Sequence, residues 1–384
     1  MSGRAGRQPF GRARLIAVEA GAGTALAGVA FGGWPGQALA GAGVALALGA
    51  LARRDGAWAS GWALARLRRG TLEPASPGAR PPGDELGLAQ ALLPALEVAE
   101  VADRNFPAGL GVISDGRGHA AVAAFPGGTL PAIPAGIVAE WLADDPAGPA
   151  AAQILVEQFC VPPWDLHHRF PPTAAYRQLP HGERPVAVRS WLVVRHEPLA
   201  APAAVARRGG GSAGARAAVA AATARLCARL AAHGAPTTPL SGAEAAELLR
   251  QLGDADGEGE ARAGGWAGRA ATHRVLTARV ASDADWRRLL SGMAASGVER
   301  TVVAATLTLV GRTPRVRSCA RLVSGLAQHA AARGDLLRSA GATGPPVADQ
   351  AAGVLATLPL AHPGRPLDEA IGFVPAAPRE GTAR

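Results

Sequence analysis

The residues of this chain whose spacing best suits chemistry form a glycine run in its second half. Gly209-Gly210-Gly211-Ser212-Ala213-Gly214 matches the G-x-G-x-x-G pattern of dinucleotide-binding loops. Such a loop directly follows a strand, and an acidic residue comes about 20 residues later. Here residues 198–206 separate the run from the preceding strand-like segment, and the next acid is Glu244. The pattern therefore does not predict a dinucleotide site.

The same run also matches G-x-S-x-G, the pattern of a nucleophile elbow. Glu244 and His273 follow Ser212 in the order acid and then histidine that such an enzyme requires. The order of the three residues is the only requirement that the sequence meets. We interpret the run as a loop in which Ser212 caps the following helix. The alternative is an anion-binding loop at the start of that helix, formed by Arg207, Arg208, Gly209, Gly210, Gly211 and Ser212.

Two acidic pairs, Asp254/Asp256 and Asp283/Asp285, have the D-x-D spacing with which many glycosyltransferases hold a divalent metal and a sugar nucleotide. The first pair lies in a polar sequence typical of a solvated loop. The second lies at the start of a predicted helix, with Ser282 or Asp283 as its cap, where acids favour the helix dipole. We therefore expect structural roles for both pairs, and we keep a membrane-anchored nucleotide-sugar or acyl transferase as the alternative function.

Metal and lysine chemistry have little support in the sequence. Asp165, His167 and His168 lie near Cys160, but adjacent histidines point apart and no further cluster follows. All 39 basic residues are arginine, which excludes a Walker A loop, a lysine Schiff base and Ser-Lys catalysis. The three cysteines are distant from one another and fit a reduced cytoplasmic domain. We predict no enzyme, no cofactor, no metal and no small-molecule substrate.

These residues require a folded domain to position them, and the sequence predicts one at residues 90–384. Strand-like and helix-like segments alternate, which predicts an α/β domain with a mixed sheet. Asp115-Gly116-Arg117-Gly118 joins two strands into a hairpin, because Asp-Gly supplies the positive φ angles of a tight turn. Ser241, with Glu244 three residues later, predicts a capping box. The predicted strands cover 109–114, 119–125, 152–159, 186–196, 274–280, 301–310 and 316–322, and the predicted helices cover 137–142, 213–232, 241–252, 283–290 and a segment from 323 onward.

The first 69 residues carry most of the excess charge. They hold nine arginines against Glu19 and Asp55, while the other 30 arginines are opposed by 28 acids. A nucleic-acid-binding protein is expected to carry such an excess on its folded domain, but here the excess flanks apolar sequence. We therefore predict no nucleic-acid partner and interpret the charge as membrane topology.

Residues 15–52 are apolar apart from Glu19 and are interrupted at Trp34-Pro35-Gly36-Gln37. Two passes of about 17 residues each would just reach the length of a spanning helix. Arginines precede the first pass and follow the second, so the positive-inside rule places both termini in the cytoplasm. Small residues would let the two helices pack closely, with Gly21, Gly23 and Gly28 facing Gly41 and Gly43.

Two other interpretations of this segment stay open. Ala38-Leu39-Ala40 fits the cleavage site of a signal peptide. A single interfacial or spanning helix is the other alternative. In the preferred interpretation, tryptophan and arginine side chains lie at the level of the lipid headgroups. These membrane-interface residues are Trp34, Trp58, Trp62, Arg53, Arg54, Arg66, Arg68 and Arg69.

The predicted organisation has five parts. A basic cytoplasmic N-terminus covers 1–14, and a transmembrane hairpin covers 15–52, with helices at about 15–33 and 38–52. An interfacial Trp/Arg helix covers 53–70, and a Pro/Gly-rich linker covers 71–89. The cytoplasmic α/β domain takes the rest, 90–384.

These segments together resemble one known family. The features that carry the resemblance are the Arg-rich start, the short hairpin, the Trp/Arg segment, and the tracts VISDGRGHAAVAAF, RSWLVVRHEP, VARRGGGSAGARAAVAAATARLCARLAAHG and VLATLPLA. In combination they look like the EccE subunit of type VII (ESX-type) secretion systems. The resemblance implies a non-catalytic plasma-membrane subunit of a secretion core complex, with its soluble domain in the cytoplasm. Its implied partners are membrane lipid and EccB-, EccC- and EccD-like subunits, of which EccC-type subunits supply the ATPase.

Overall fold

The computed structural model describes residues 12–51, 53–54, 57–58, 86–93, 95–127, 135–160, 171–179, 186–254, 259–262, 264–268 and 270–362. The chain divides into two units, Met1–Glu73 and Pro74–Arg384. The described helices are α1 (Arg12–Phe31), α2 (Gly33–Leu51), α3 (Leu88–Leu92), α4 (Ala135–Asp144), α5 (Pro171–Gln178), α6 (Pro202–Ala206), α7 (Gly211–Ala232), α8 (Gly242–Leu252), α9 (Asp283–Ala294), α10 (Ala327–Ser339) and α11 (Gln350–Ala356). The described strands are β1 (Arg53–Arg54), β2 (Ala57–Trp58), β3 (Glu97–Asp103), β4 (Phe106–Ser114), β5 (His119–Ala124), β6 (Ala151–Phe159), β7 (Ala187–His196), β8 (Thr238–Pro239), β9 (Gly259–Arg262), β10 (Gly265–Gly268), β11 (Thr272–Ala278), β12 (Arg300–Val310) and β13 (Thr313–Ser324).

In the first unit, α1 and α2 pack against each other as a hairpin, which confirms the predicted helical pair. The break between them lies at Gly32, and both Gly32 and Gly33 have a φ of 65°. The predicted turn at residues 34–37 is wrong, because these residues form the first turn of α2. Pro35 is tolerated there, since the N–H groups of a first helical turn have no partner within the helix.

Small residues lie where α1 and α2 come closest. A Cβ added to Gly21, Gly28 or Gly43 would collide with backbone atoms of the opposite helix. This confirms the predicted close approach at these three positions. The prediction is wrong for Gly23 and Gly41, where an added Cβ would meet no atom within 4 Å.

Among the residues that the structure describes, no helix is both long enough and apolar enough to cross a membrane. The packing of α1 against α2 confirms the helical pair. The predicted transmembrane passes are not confirmed.

The segment after the hairpin differs from the predicted interfacial helix where it is described. β1 and β2 pair antiparallel, with Arg53 opposite Trp58. Opposed strands cannot belong to one continuous helix, so the helix predicted over 53–70 is wrong for these strand residues. Trp62, Arg66, Arg68, Arg69 and most of the predicted linker lie outside the described residues.

In the second unit, eleven of the described strands form one sheet. The order is β3-β4-β5-β7-β6-β12-β13-β11-β10-β9, and β8 pairs with β5. Every described pairing in this sheet is antiparallel. The combination of helices and strands is confirmed, but the predicted mixed sheet is wrong. Parallel neighbours in a sheet need a crossover connection. Here β4–β5 and β12–β13 are direct hairpins, so the strands of each pair run in opposite directions. β6 lies between β7 and β12 and is antiparallel to both.

Helices cover both faces of this sheet, and the side chains of each strand alternate between them. Leu192 and Val194 of β7 pack in one apolar cluster with α4 and α7. Trp191 and Val193 pack in another with α8. Further along the sheet, α9 and α10 contribute a third cluster, and α3 and α11 a fourth. The result is a three-layer domain whose apolar interior is made of four clusters.

The start of this domain lies earlier in the chain than predicted. Leu88 and Ala89 fall in the predicted linker, yet both are fully buried at the start of α3. Most predicted elements agree with the observed ones to within a few residues, such as 186–196 with β7 and 213–232 with α7. The structure adds β3, β8, β9, β10, α3, α5, α6 and α11, which the sequence did not predict.

Candidate functional site

The Asp-Gly turn between β4 and β5 positions a buried carboxylate. Asp115 accepts the backbone N–H groups of Arg117 (3.0 Å) and Gly118 (2.8 Å), and Gly116 has a φ of 79°. This confirms the predicted hairpin turn. The turn directs Asp115 Oδ2 to within 2.8 Å of Arg195 Nη1, at the end of β7.

Arg195 is the centre of an ion cluster in which the side chains are largely removed from solvent. Its Nε lies 3.1 Å from Glu197 Oε1, and Arg117 Nε lies 3.2 Å from the same oxygen. Nη1 of Arg195 also donates to the Leu360 carbonyl at 3.1 Å. Burial raises the pKa of Asp115, but the charge and hydrogen bond of Arg195, together with the Gly118 N–H, outweigh it and hold that pKa at about 2. The cluster therefore joins the turn between β4 and β5, the end of β7 and the Leu360 carbonyl through two cations and two anions.

Three histidines surround this cluster in their neutral form. Burial lowers the pKa of His119, His196 and His362 to about 4 in each case. The positive charge of Arg195 acts in the same direction on His119 and His362. Since a further cation beside Arg117 and Arg195 is unfavourable, these rings extend the cluster without adding charge.

A second ion cluster lies where α8 ends. Arg189 Nη2 contacts Glu157 Oε2 at 2.6 Å, and Arg300 Nη1 lies 3.7 Å from Glu157 Oε1. Arg300 donates to the carbonyl of Gln251, and Arg321 donates to that of Leu252. These two arginines thus neutralise the negative end of the helix dipole. Burial, together with Arg300, lowers the pKa of Arg321 to about 9.

The acidic pairs considered for metal binding have structural contacts in the described residues. Asp254 is buried and lies 3.4 Å from Nε2 of His273, which corrects the expectation of a solvated loop at this residue. Burial lowers the pKa of His273 to about 4. Asp285 accepts the hydroxyl of Ser282 at 2.9 Å, and Ser282 caps α9 as predicted. Asp256 lies outside the described residues.

No group of three or more histidine, cysteine, aspartate or glutamate side chains is arranged to hold a metal ion in the described part of the chain. Asp165, His167 and His168 fall outside that part. The three cysteines form no disulfide. Burial raises the pKa of Cys319 to about 12, which makes its thiolate inaccessible near neutral pH.

The glycine run has the backbone of a loop that turns into a helix. Gly209, Gly210 and Gly211 have φ values of 93°, 76° and 59°, in the left-handed region that favours glycine. The N-cap of α7 is Gly210, with no side-chain cap bond, so the predicted Ser212 cap is wrong. An added Cβ at each of the three glycines would meet open space, so conformation alone accounts for them.

The arginines beside this loop already have backbone partners. Arg207 Nη2 donates to the Pro146 carbonyl at 2.8 Å, and Arg208 Nη1 donates to the Ala204 carbonyl at 3.0 Å. The pKa of Arg208 is lowered by burial and by the positive charge of neighbouring arginines. Anion binding at this loop stays a prediction.

The other partners required by a nucleophile elbow are engaged elsewhere. Glu244 Oε2 accepts the Ser241 backbone N–H at 2.8 Å, which completes the predicted capping box at α8. His273 is fully buried and faces Asp254. Ser212 is exposed at the start of α7.

The helical hairpin displays its large apolar side chains. Nine of the fourteen exposed large apolar side chains of the described residues lie on α1 and α2, although the two helices form a small part of the chain. Phe31 is 84% exposed and Trp34, one of the predicted interface residues, is 80% exposed. These side chains form the clearest candidate contact surface of the first unit.

The sequence analysis missed the buried ion clusters. Their cations occur as single arginines inside apolar strand sequence, Arg195 in SWLVVRHE and Arg321 in SCARLV. A charge inside such a run is a usable signal, because a buried charge needs a partner. The sequence does not identify the partner of each arginine, because Asp115 is 80 residues away from Arg195.

A comparison with family models gives one match. The model described as "Putative type VII ESX secretion system translocon, EccE" matches residues 185–278, which span β7 to β11 and include the glycine run. The resemblance to this family is thereby confirmed over a segment of less than half the chain. It contains the tracts RSWLVVRHEP and VARRGGGSAGARAAVAAATARLCARLAAHG. No curated protein matches the chain.

Proposed function

We propose that the protein is a non-catalytic membrane subunit of a type VII secretion core complex, which scaffolds and docks neighbouring subunits. The observation that carries the proposal is the EccE family match over residues 185–278. The matched segment includes Arg195 and the helices α7 and α8, which pack in the apolar clusters on opposite faces of β7. The ionic contacts described above are internal to the fold, which suits a rigid docking body.

The hairpin supports a membrane location within this proposal. Exposed side chains such as Leu26, Val29 and Phe31 would be unfavourable in water and favourable against lipid. A pair of helices that enters and leaves a lipid layer from one face keeps both of its ends on that side. With arginines flanking the pair, we place both termini in the cytoplasm at the plasma membrane.

The partners of this proposal are membrane lipid and EccB-, EccC- and EccD-like subunits. The test is to purify the tagged full-length chain from membranes of its host in mild detergent. We expect an assembly much heavier than one 384-residue chain, with these subunit types identified by mass spectrometry. Recovery of the chain alone, from cells that contain all subunits, would contradict the proposal.

The lipid contact has its own test. Phe31→Glu combined with Trp34→Glu introduces two charges on the exposed surface of the hairpin. We expect this variant to leave the membrane fraction in alkaline carbonate, while the original chain stays. The matched control is Leu336→Glu with Leu326→Glu, which changes two exposed leucines of the second unit. Equal extraction of all three proteins would exclude the hairpin as the lipid contact.

A further inference from the structure

Strands β12 and β13 extend beyond their neighbours in the sheet. They pair with each other as far as Val310 opposite Thr313. β6 pairs with β12 only as far as Leu307, and β11 pairs with β13 only from Ser318 onward. Residues 308–317 therefore form a two-stranded segment with no described strand on either side, which we call the ribbon.

The ribbon is basic and contains no acidic residue. Its sequence is TLVGRTPRVR, with arginines at positions 312, 315 and 317. Arg312 lies 3.4 Å from Asp144. Within the described part of the chain, no hydrogen bond or ion pair engages the side chain of Arg315 or Arg317. The two residues lie two apart on one strand, so their side chains project from the same face.

The backbone pattern of β11 shows which groups at this edge are free. The Thr277 N–H donates to the Pro345 carbonyl at 2.9 Å, on the side away from β13. Because successive residues of a strand turn their backbone groups to opposite sides, Ala278 faces β13, where it pairs with Ser318. Ser318 therefore directs its own N–H and C=O away from β12.

The same alternation continues into the ribbon. Val316 and Pro314, like Ser318, direct their backbone groups away from β12, but β11 has ended by this point. Pro314 fits this position because it has no N–H to leave unpaired. The free edge thus presents the Val316 N–H, the Val316 carbonyl and the Pro314 carbonyl, beside two unpaired arginine side chains.

We propose that the ribbon docks an extended acidic segment of a partner protein. The segment adds alongside β13 and pairs with the backbone of Val316, and its carboxylates lie against Arg315 and Arg317. This inference rests on the proposed function to the extent that a docking subunit must present a surface to a protein partner. The ribbon lies outside the matched segment 185–278, so it adds a contact that the family match does not locate.

The observations favour this partner over two others. A second copy of the ribbon would bring arginines against arginines, and such like-charge pairs oppose edge-to-edge association. A lipid surface would leave the free backbone groups at Val316 without partners in an apolar medium. The ribbon also has no tryptophan or tyrosine to sit among headgroups. An acidic strand satisfies both the charges and the backbone.

The binding experiment uses the full-length chain in detergent and a fluorescent nine-residue peptide of alternating glutamate and threonine. We expect saturable binding by fluorescence anisotropy, weakened by added salt. Arg315→Glu with Arg317→Glu should weaken it by about tenfold or more. The matched control, Arg287→Glu with Arg338→Glu, makes the same charge change on exposed helices and should leave it unchanged.

A second variant tests the backbone contact at constant charge. Val316→Pro removes the free N–H without touching a bond to β12, and it should weaken peptide binding by about fivefold, the value of one hydrogen bond. Circular dichroism and thermal unfolding establish that each variant is folded. Where the double glutamate variant does not fold, Arg315→Gln with Arg317→Gln replaces it, with a smaller loss of binding expected.

Three results would overturn the inference. They are equal binding of the peptide to the ribbon and control variants, no peptide binding at all, and preferential binding of phosphatidylserine vesicles or of a DNA duplex through the same arginines. The failure of the proposed function looks different. If the unaltered chain never joins an assembly, the function fails whatever the peptide does. If it joins one but the unaltered chain binds no peptide, or the ribbon and control variants bind the peptide equally, only the ribbon inference fails.

Discussion

The hairpin and the three-layer domain have similar small-residue sequences but place their side chains in opposite ways. In the hairpin, glycines lie between the helices and large apolar side chains such as Phe31 and Leu48 face outward. In the domain, large apolar side chains such as Leu192 and Leu226 are fully buried between sheet and helices. The domain also buries charges, with Arg195 and Arg321 almost completely removed from solvent.

This difference indicates that the two units derive their stability from different sources. The domain gains from removing apolar surface from water, and its buried charges have charged or carbonyl partners, such as Asp115 for Arg195 and the Leu252 carbonyl for Arg321. The hairpin buries little of its large apolar surface within itself, so close backbone contact holds the helices together. Its large side chains remain available for surroundings other than water. Substitutions that affect one unit should therefore leave the other unchanged.

The largest effect should come from the buried ion cluster of the domain. Arg195→Met leaves Asp115 without its main counter-charge in a buried site. We expect the free energy of unfolding to fall by about 3–5 kcal/mol. Denaturant unfolding of the purified chain measures this loss, and Arg315→Met is the control, because it removes an exposed arginine of another strand. A loss of less than about 1 kcal/mol for Arg195→Met would show that the cluster contributes little to stability.

The next largest effect should appear when the pH is lowered. His119, His196, His273 and His362 have their pKa lowered to about 4 by burial, from an ordinary value of 6.5. Because the folded pKa is the lower one, their contribution to stability is complete above pH 6.5 and is lost as the pH falls through 4. We expect a loss on the order of a few kcal/mol between these values.

The hairpin contains no histidine, so it provides the internal control for this experiment. Backbone hydrogen exchange at several pH values, corrected for the intrinsic rate, should show the domain losing protection while α1 and α2 keep theirs. Asp115 contributes little in this window, since its folded pKa of about 2 and its ordinary value of 3.8 both lie below pH 4. Replacing His273 and His362 by glutamine should reduce the pH dependence of the domain. An unfolding free energy that stays constant from pH 7 to 4.5 would contradict the neutral buried histidines.

Local patterns in the sequence predicted local structure well, but they did not predict contacts between distant residues. The two buried ion clusters show this difference. The Asp115-Gly116 turn and the Ser241 capping box depend on neighbours three or four residues apart, so the pattern contains the whole interaction. The partner of Arg195 depends on the strand order β4-β5-β7, which no local pattern encodes. The antiparallel sheet escaped prediction for the same reason, because alternating strands and helices also fit a mixed sheet.

A moderate effect should follow from filling the contact between α1 and α2. Gly28→Leu places a side chain where even a Cβ would collide with the backbone of α2. We expect the hairpin to lose about 1–3 kcal/mol, as in other overpacked sites. Gly23→Leu is the matched control, because the same side chain there enters open space on the same helix. Hydrogen exchange over residues 12–51 should increase for Gly28→Leu alone, with the domain unchanged. Equal exchange in both variants would mean that small residues do not hold the hairpin together.

The smallest effect should separate two serines at the starts of neighbouring domain helices. Ser241 accepts the N–H of Glu244 and caps α8, whereas Ser212 follows the glycine N-cap of α7 and makes no cap bond. Ser241→Ala should therefore lower the free energy of unfolding by about 1 kcal/mol, and Ser212→Ala should lower it by much less. Both serines lie at helix starts and neither is buried, so the difference isolates the cap from the general cost of replacing a serine. A similar loss in both variants would mean that α7 depends on Ser212 for a contact other than a cap, and the loop before α7 would then need a partner for that hydroxyl.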